Sequence, residues 1–91
     1  MKTKNNLKKL WKYISNTFEE DELECAMNEF EMSKDAFTDL EELTEDDARS
    51  LLFDLAYMAV NGLFGGDFHT WNEVLCYSLQ FDEETIDFLN Y

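Results

Sequence analysis

Apolar residues at Leu7, Leu10, Trp11, Ile14 and Phe18 recur at steps of 3, 1, 3 and 4. That spacing places them on one side of a 3.6-residue turn and predicts an amphipathic helix over about residues 5–18. Lys4, Lys8 and Lys12, four residues apart, share another face, with Lys9 nearby. Leu23, Ala26, Met27 and Phe30 repeat the helical spacing over about 21–32. Glu19, Glu20, Asp21 and Glu22 set negative charge at the positive end of that helix. Ser33 is positioned to cap a short helix at about 34–41, with Met32 and Phe37 as a hydrophobic staple. Thr44, with Asp47 three residues on, opens the strongest element. Its apolar stripe is Ala48, Leu51, Leu52, Leu55, Ala56 and Ala59, wide enough for a central helix buried on more than one side. Gly62 is expected in the left-handed position after its last turn, and Gly65 and Gly66 make a corner. Trp71, Val74, Leu75 and Leu79 mark a helix at about 68–79, capped by Asp67 or Thr70. Asp82 caps the last helix, with Phe81 and Ile86 as its staple and Ile86 and Leu89 facing inward.

The expected fold is therefore all-α. It is a single domain over residues 1–91, a bundle of five or six short helices with a strongly acidic surface. A basic helix at about 5–18 leads into an acidic helical segment at about 19–47, then into central and C-terminal helices at about 45–91. A chain of 91 residues holds one modest core, and a hydrophobic fraction of 45% is enough to fill it. The absence of proline leaves nothing to interrupt the helices covalently.

Charge changes the picture more than composition does. The net charge is −14, and it is segregated. Residues 1–18 carry five lysines and no acid, whereas residues 19–91 carry all 21 acids against Lys34 and Arg49. Within residues 19–47, 14 of 29 positions are acidic, a density that repels phosphates and anionic lipid and favours a partner with a basic surface. Solubility alone is the competing explanation of such a surface. The lysines of the first helix are expected to pair with the acidic segment or with a second copy of the chain, and direct phosphate contact is the alternative for them.

Candidate chemistry is sparse. The single histidine, His69, sits at a helix start beside Phe68 and Trp71, where a surface or capping role is expected. Cys76, seven residues on, lies about 10 Å along a helix, too far for a Cys–His pair. Cys25 and Cys76 are each expected to be small buried hydrophobes. No GxGxxG, P-loop, HExxH or CxxC occurs. No stretch has the alternating acids and central glycine of a calcium loop, although Glu41, Glu42, Glu45, Asp46 and Asp47 can gather a hard cation loosely. The expectation is a protein that is not an enzyme, with no cofactor and no metal. No run of apolar residues is long enough for a membrane span, and the basic start lacks the apolar block of a signal peptide, so the expected location is the cytoplasm of a bacterial host.

Carboxylates three or four residues apart on a helix lie about 5–6 Å from one another, close enough to imitate a row of phosphates. Glu20–Glu24, Glu31–Asp35, Asp35–Asp39 and Glu41–Glu45 all have that spacing. Glu20, Glu24, Glu31, Asp35, Asp39, Glu41, Glu42, Glu45 and Asp46 are the candidate partner-binding acids. Phe64 and Phe68, flanking the glycine corner, and Trp71 are candidate aromatic contacts, with Tyr13, Tyr57 and Tyr91 as further anchors. In size and acidity the chain resembles small phage and mobile-element inhibitors of restriction and CRISPR nucleases. That resemblance implies an inhibitor that mimics nucleic acid and occupies the basic groove of a nuclease or other nucleic-acid-binding protein, without binding DNA itself. An immunity protein or antitoxin against a basic toxin is the alternative, a small acidic adaptor the third, and a homodimer is compatible with each.

Overall fold

The core begins with three side chains of the first helix. In a computed structural model, which describes residues 2–90, Leu7, Leu10 and Ile14 of α1 (Thr3–Thr17) are fully buried. They pack chiefly on α3 (Glu45–Met58), whose Leu52, Leu55 and Met58 are equally inaccessible. Around this pair sit α2 (Glu20–Glu29), α4 (Phe68–Glu73) and α5 (Glu83–Asn90), and no strand occurs among the described residues. The Cα radius of gyration is 12.2 Å, the value expected of a compact chain of this length, about 12 Å. The helices, the single domain and the central place of the Ala48–Ala59 stripe thus agree with the hydrophobic pattern.

The caps follow the sequence closely. The Thr44 hydroxyl accepts from the Asp47 N–H at 3.1 Å. Asp67, rather than Thr70, caps α4: its carboxylate accepts the Thr70 N–H at 3.1 Å and the Thr70 hydroxyl at 2.7 Å. Asp82 accepts the Thr85 N–H at 2.9 Å. Hydrogen bonds from the Thr70 hydroxyl and N–H hold the Asp67 carboxyl below the usual carboxylate value. The Thr85 hydroxyl and N–H do the same for Asp82. Thr85 is itself fully buried, and its hydroxyl accepts from the Asn6 side-chain amide at 3.1 Å, tying α5 to α1.

Four expectations are overturned. The stretch at 34–41 is not one helix. It forms two 3₁₀ turns, Lys34–Phe37 and Leu40–Glu42, separated at Asp39 (φ −123°, ψ 60°). Phe37, Leu40 and Leu43 are spaced by three, the period of a 3₁₀ helix, so this winding turns Phe37 and Leu40 inward together. Trp11 stacks on Phe37 with ring centroids 4.1 Å apart and holds the first turn in place. Gly62 is not a left-handed cap. It lies inside a π turn, Ala59–Leu63, that extends α3. A Cβ at Gly62 would meet the Phe30 ring at 3.0 Å and the Ala26 Cβ at 3.3 Å, so the glycine serves close approach to α2. Left-handed positions fall instead at Gly65, Gly66, Glu31 and Gln80. A second π turn, Val74–Ser78, ends the α4 segment.

The remaining two corrections concern the cysteines, because both Cys25 and Cys76 are exposed. On α2 the inward positions are Leu23, Ala26 and Met27, and Cys25, about 200° from Leu23, points outward. In the second π turn Val74 and Leu75 face inward and Cys76 follows them round to solvent.

Candidate functional site

All nine candidate acids are exposed. Their arrangement differs from the expected helical row. Only Glu20 and Glu24 lie four apart within one α-helix. Glu31 (φ 58°) occupies the left-handed position just past α2, where the Met32 N–H closes onto the Met27 carbonyl at 2.8 Å. The pair Glu31–Asp35 therefore spans a turn. Asp35–Asp39 spans the end of the first 3₁₀ turn, and Glu41–Glu45 crosses extended Leu43. The acidic segment is a surface of turns more than a helical ladder.

Three of the nine acids are engaged within the molecule. Glu20 lies 3.6 Å from the Lys34 ammonium. Glu41 pairs with Lys8, and its carbonyl accepts from Lys4 at 2.9 Å. Glu45 accepts a 2.6 Å hydrogen bond from the Thr3 hydroxyl, which is buried, and lies 3.9 Å from Arg49. Glu24, Glu31, Asp35, Asp39, Glu42 and Asp46 make no ion pair among the described residues. The lysine face of α1 is likewise divided. Lys4 and Lys8 reach Glu41, whereas Lys9 and Lys12 border a separate depression with Tyr13, Asn16 and Gln80.

The aromatic candidates separate sharply. Trp71 is fully buried, packs on Phe64 and is part of the core, so it is not a surface contact. Phe64 is half-buried between Phe18 and Trp71. It turns inward because the left-handed glycines after it reverse the chain. Tyr13 is half-buried, and Tyr91 lies outside the described residues. Phe68 and Tyr57 are exposed, at 53% and 55%. Tyr77, at 78%, is more exposed still and was not singled out by the sequence.

Tyr57 and Phe68 face one groove. Phe53, Tyr57, Val60 and Asn61 of the α3 segment line one side, with Phe68 of α4 and Leu89 and Asn90 of α5 completing it. Its volume of about 310 Å³ is at the small end for ligand pockets. Tyr57 also borders a second depression, shared with Phe30, Glu31, Met32 and Asp54. No protein-family model, no curated protein and no solved structure matches this chain. The functional reading rests on its own residues.

No group of three or more His, Cys, Asp and Glu side chains gathers to hold a metal ion among the described residues. His69 lies on the surface, 2.7 Å from the Glu73 carboxylate on the same helix. No helix of the described residues is long and apolar enough to cross a membrane.

Proposed function

We propose that this chain is a non-enzymatic inhibitor, acting in the bacterial cytoplasm, that binds a basic nucleic-acid-binding protein through its acidic surface. The observation that carries the reading is the set of six exposed carboxylates with no ion pair among the described residues, Glu24, Glu31, Asp35, Asp39, Glu42 and Asp46, along one stretch of chain. A surface of this sign raises encounter rates with a basic groove and competes there with phosphates. The contacts of Lys4 and Lys8 with Glu41 add support, since they hold part of the opposing charge against the chain's own surface. Mimicry here is of charge density, because the turns deny the acids a regular helical spacing.

The groove beside Tyr57 and Phe68 favours a second reading, an immunity protein or antitoxin whose aromatic anchors are rimmed by acids. One experiment separates the two. The chain is used to capture partners from nuclease-treated bacterial lysate and eluted with rising salt. A nucleic-acid-binding protein displaced by competing DNA or RNA supports the inhibitor. A small basic toxin released by neither supports the alternative. With the partner in hand, Glu42→Lys with Asp46→Lys is expected to lower the association rate about tenfold at low salt while leaving the circular dichroism unchanged. An unchanged rate removes this patch from the interface. Glu45 is left out of the test because Thr3 depends on it.

A further inference from the structure

Where the end of α2 meets α3, a depression of about 290 Å³ is lined by Phe30, Glu31, Met32, Asp54 and Tyr57. It joins two kinds of surface. Phe30 and Met32 are half-buried, and Tyr57 is 55% exposed although its ring meets the Phe30 ring edge to face, with centroids 5.8 Å apart. Glu31 and Asp54 are exposed carboxylates, and neither makes an ion pair among the described residues. Asp54 and Tyr57, three apart on α3, share one face of that helix. Glu31 comes from a separate element, just past α2, and Asp54 lies outside the acid-dense stretch 19–47, so only the fold brings the two together. The chain supplies no counter-charge there. Lys4 and Lys8 reach Glu41, Lys34 lies by Glu20, Arg49 by Glu45, and none of the seven basic residues lines this depression. Two uncompensated carboxylates beside an aromatic and thioether wall attract a cation more strongly than carboxylates in open water, and the ring adds its own attraction.

We propose that this depression receives an arginine side chain of the basic partner. The proposal rests on the reading that the partner is a basic protein, and it adds the residue by which that partner is held and the place that holds it. The guanidinium lies against the exposed Tyr57 ring and donates to Glu31 and Asp54. Its five N–H donors, spread in a plane, can serve carboxylates on two separate elements while one face stays free for the ring. Lysine is the poorer occupant, because a compact, strongly hydrated ammonium has no planar face to stack. A neutral or acidic side chain would leave both carboxylates uncompensated. A volume of about 290 Å³ suits one long side chain and is too small for a folded element.

The test is a nuclear magnetic resonance titration of the full isotope-labelled chain, at low salt, with blocked glycyl-arginyl-glycine amide. The lysine peptide and the citrulline peptide, which keeps the shape of arginine without its charge, serve as controls. The expected result is a set of shift changes at Phe30, Glu31, Asp54 and Tyr57, with the arginine peptide binding several-fold tighter than the lysine peptide and the citrulline peptide giving no response. Asp54→Asn and Tyr57→Leu, both at exposed positions, are each expected to weaken arginine binding about fivefold while circular dichroism stays unchanged. Glu31→Gln, which keeps the size of the side chain, is expected to do the same. Equal binding by the parent and these variants, or shift changes confined to residues 33–47, would overturn the depression and leave the basic-partner reading standing. An equal response to the citrulline peptide would overturn the role of charge in it, and equal binding of the lysine peptide would overturn the choice of arginine. Recovery of an acidic partner in the lysate capture would overturn the basic-partner reading and, with it, the source of the arginine.

Discussion

Gly62 shows how a single atom sets the distance between two helices. In ordinary helical backbone, replacing glycine by alanine gains about 0.5–1 kcal/mol from the unfolded chain. Here the new methyl would press on the Phe30 ring at 3.0 Å and on the Ala26 Cβ at 3.3 Å. Ala26 is fixed to α2 and cannot swing aside, so Phe30 must shift and disturb its edge contact with Tyr57. Overpacking of this kind costs about 1–3 kcal/mol, so Gly62→Ala is expected to destabilise by a net ~1 kcal/mol in urea unfolding. A gain in stability would show that α2 is free to retreat. Glu45 makes the complementary case. Its removal strands the buried Thr3 hydroxyl, and Glu45→Ala is expected to cost about 1–2 kcal/mol, read as a lower urea midpoint. A neutral result would mean that the hydroxyl finds water instead. An acid in a charged run thus has a structural duty that charge counting does not reveal.

At the scale of elements, the caps tie α4 and α5 to pH. Asp67 and Asp82 each have a folded-state carboxyl below the ordinary value, held there by threonine hydrogen bonds. Their contribution is present above the unfolded-chain value of about 3.9 and is lost as pH falls through the lower folded values. Helicity followed by circular dichroism from about pH 5 to pH 2 is therefore expected to fall in the parent chain, with a smaller share of that fall in Asp67→Ala/Asp82→Ala, which lacks both caps throughout. Identical acid limbs in the two proteins would show that the caps do not contribute. The caps themselves were readable from sequence because capping is local: a side-chain acceptor and an N–H three residues on are all it needs. The winding of 34–42 was not. Like charges and poor helix formers weaken the α-helix there, and the contact that Phe37 makes is with Trp11, a residue of another helix that stacks on it and has no local signature.

For the whole molecule, a net charge of −14 on a radius of 12.2 Å means self-repulsion on folding. The ion pairs of Lys8, Lys34 and Arg49 offset only part of it, and all three are solvent-exposed pairs of small worth. Screening shortens from about 30 Å at 0.01 M salt to about 3 Å at 1 M. Raising sodium chloride from about 0.02 M to about 0.5 M is accordingly expected to stabilise the chain, seen as a rise in the urea midpoint. A fall would mean that the internal pairs outweigh the repulsion. The same salt series applied to a partner complex is expected to weaken binding, so one variable should move folding and recognition in opposite directions.

Sequence alone determined the helical class, the single core and most of the inward residues, because a 3.6-residue apolar period leaves few other ways to bury Leu7, Leu10, Ile14, Leu52 and Leu55 together. It also determined the segregation of charge, which is a property of composition and order. The tertiary structure decided which surface residues remain available. It buried Trp71, exposed Cys25 and Cys76, spent Glu41 and Glu45 on lysine and threonine partners far along the chain, and left Tyr57 and Phe68 together at one groove. These outcomes depend on how α1, α3, α4 and α5 meet, and pairings between residues 37, 42 or 79 positions apart have no local signature to read.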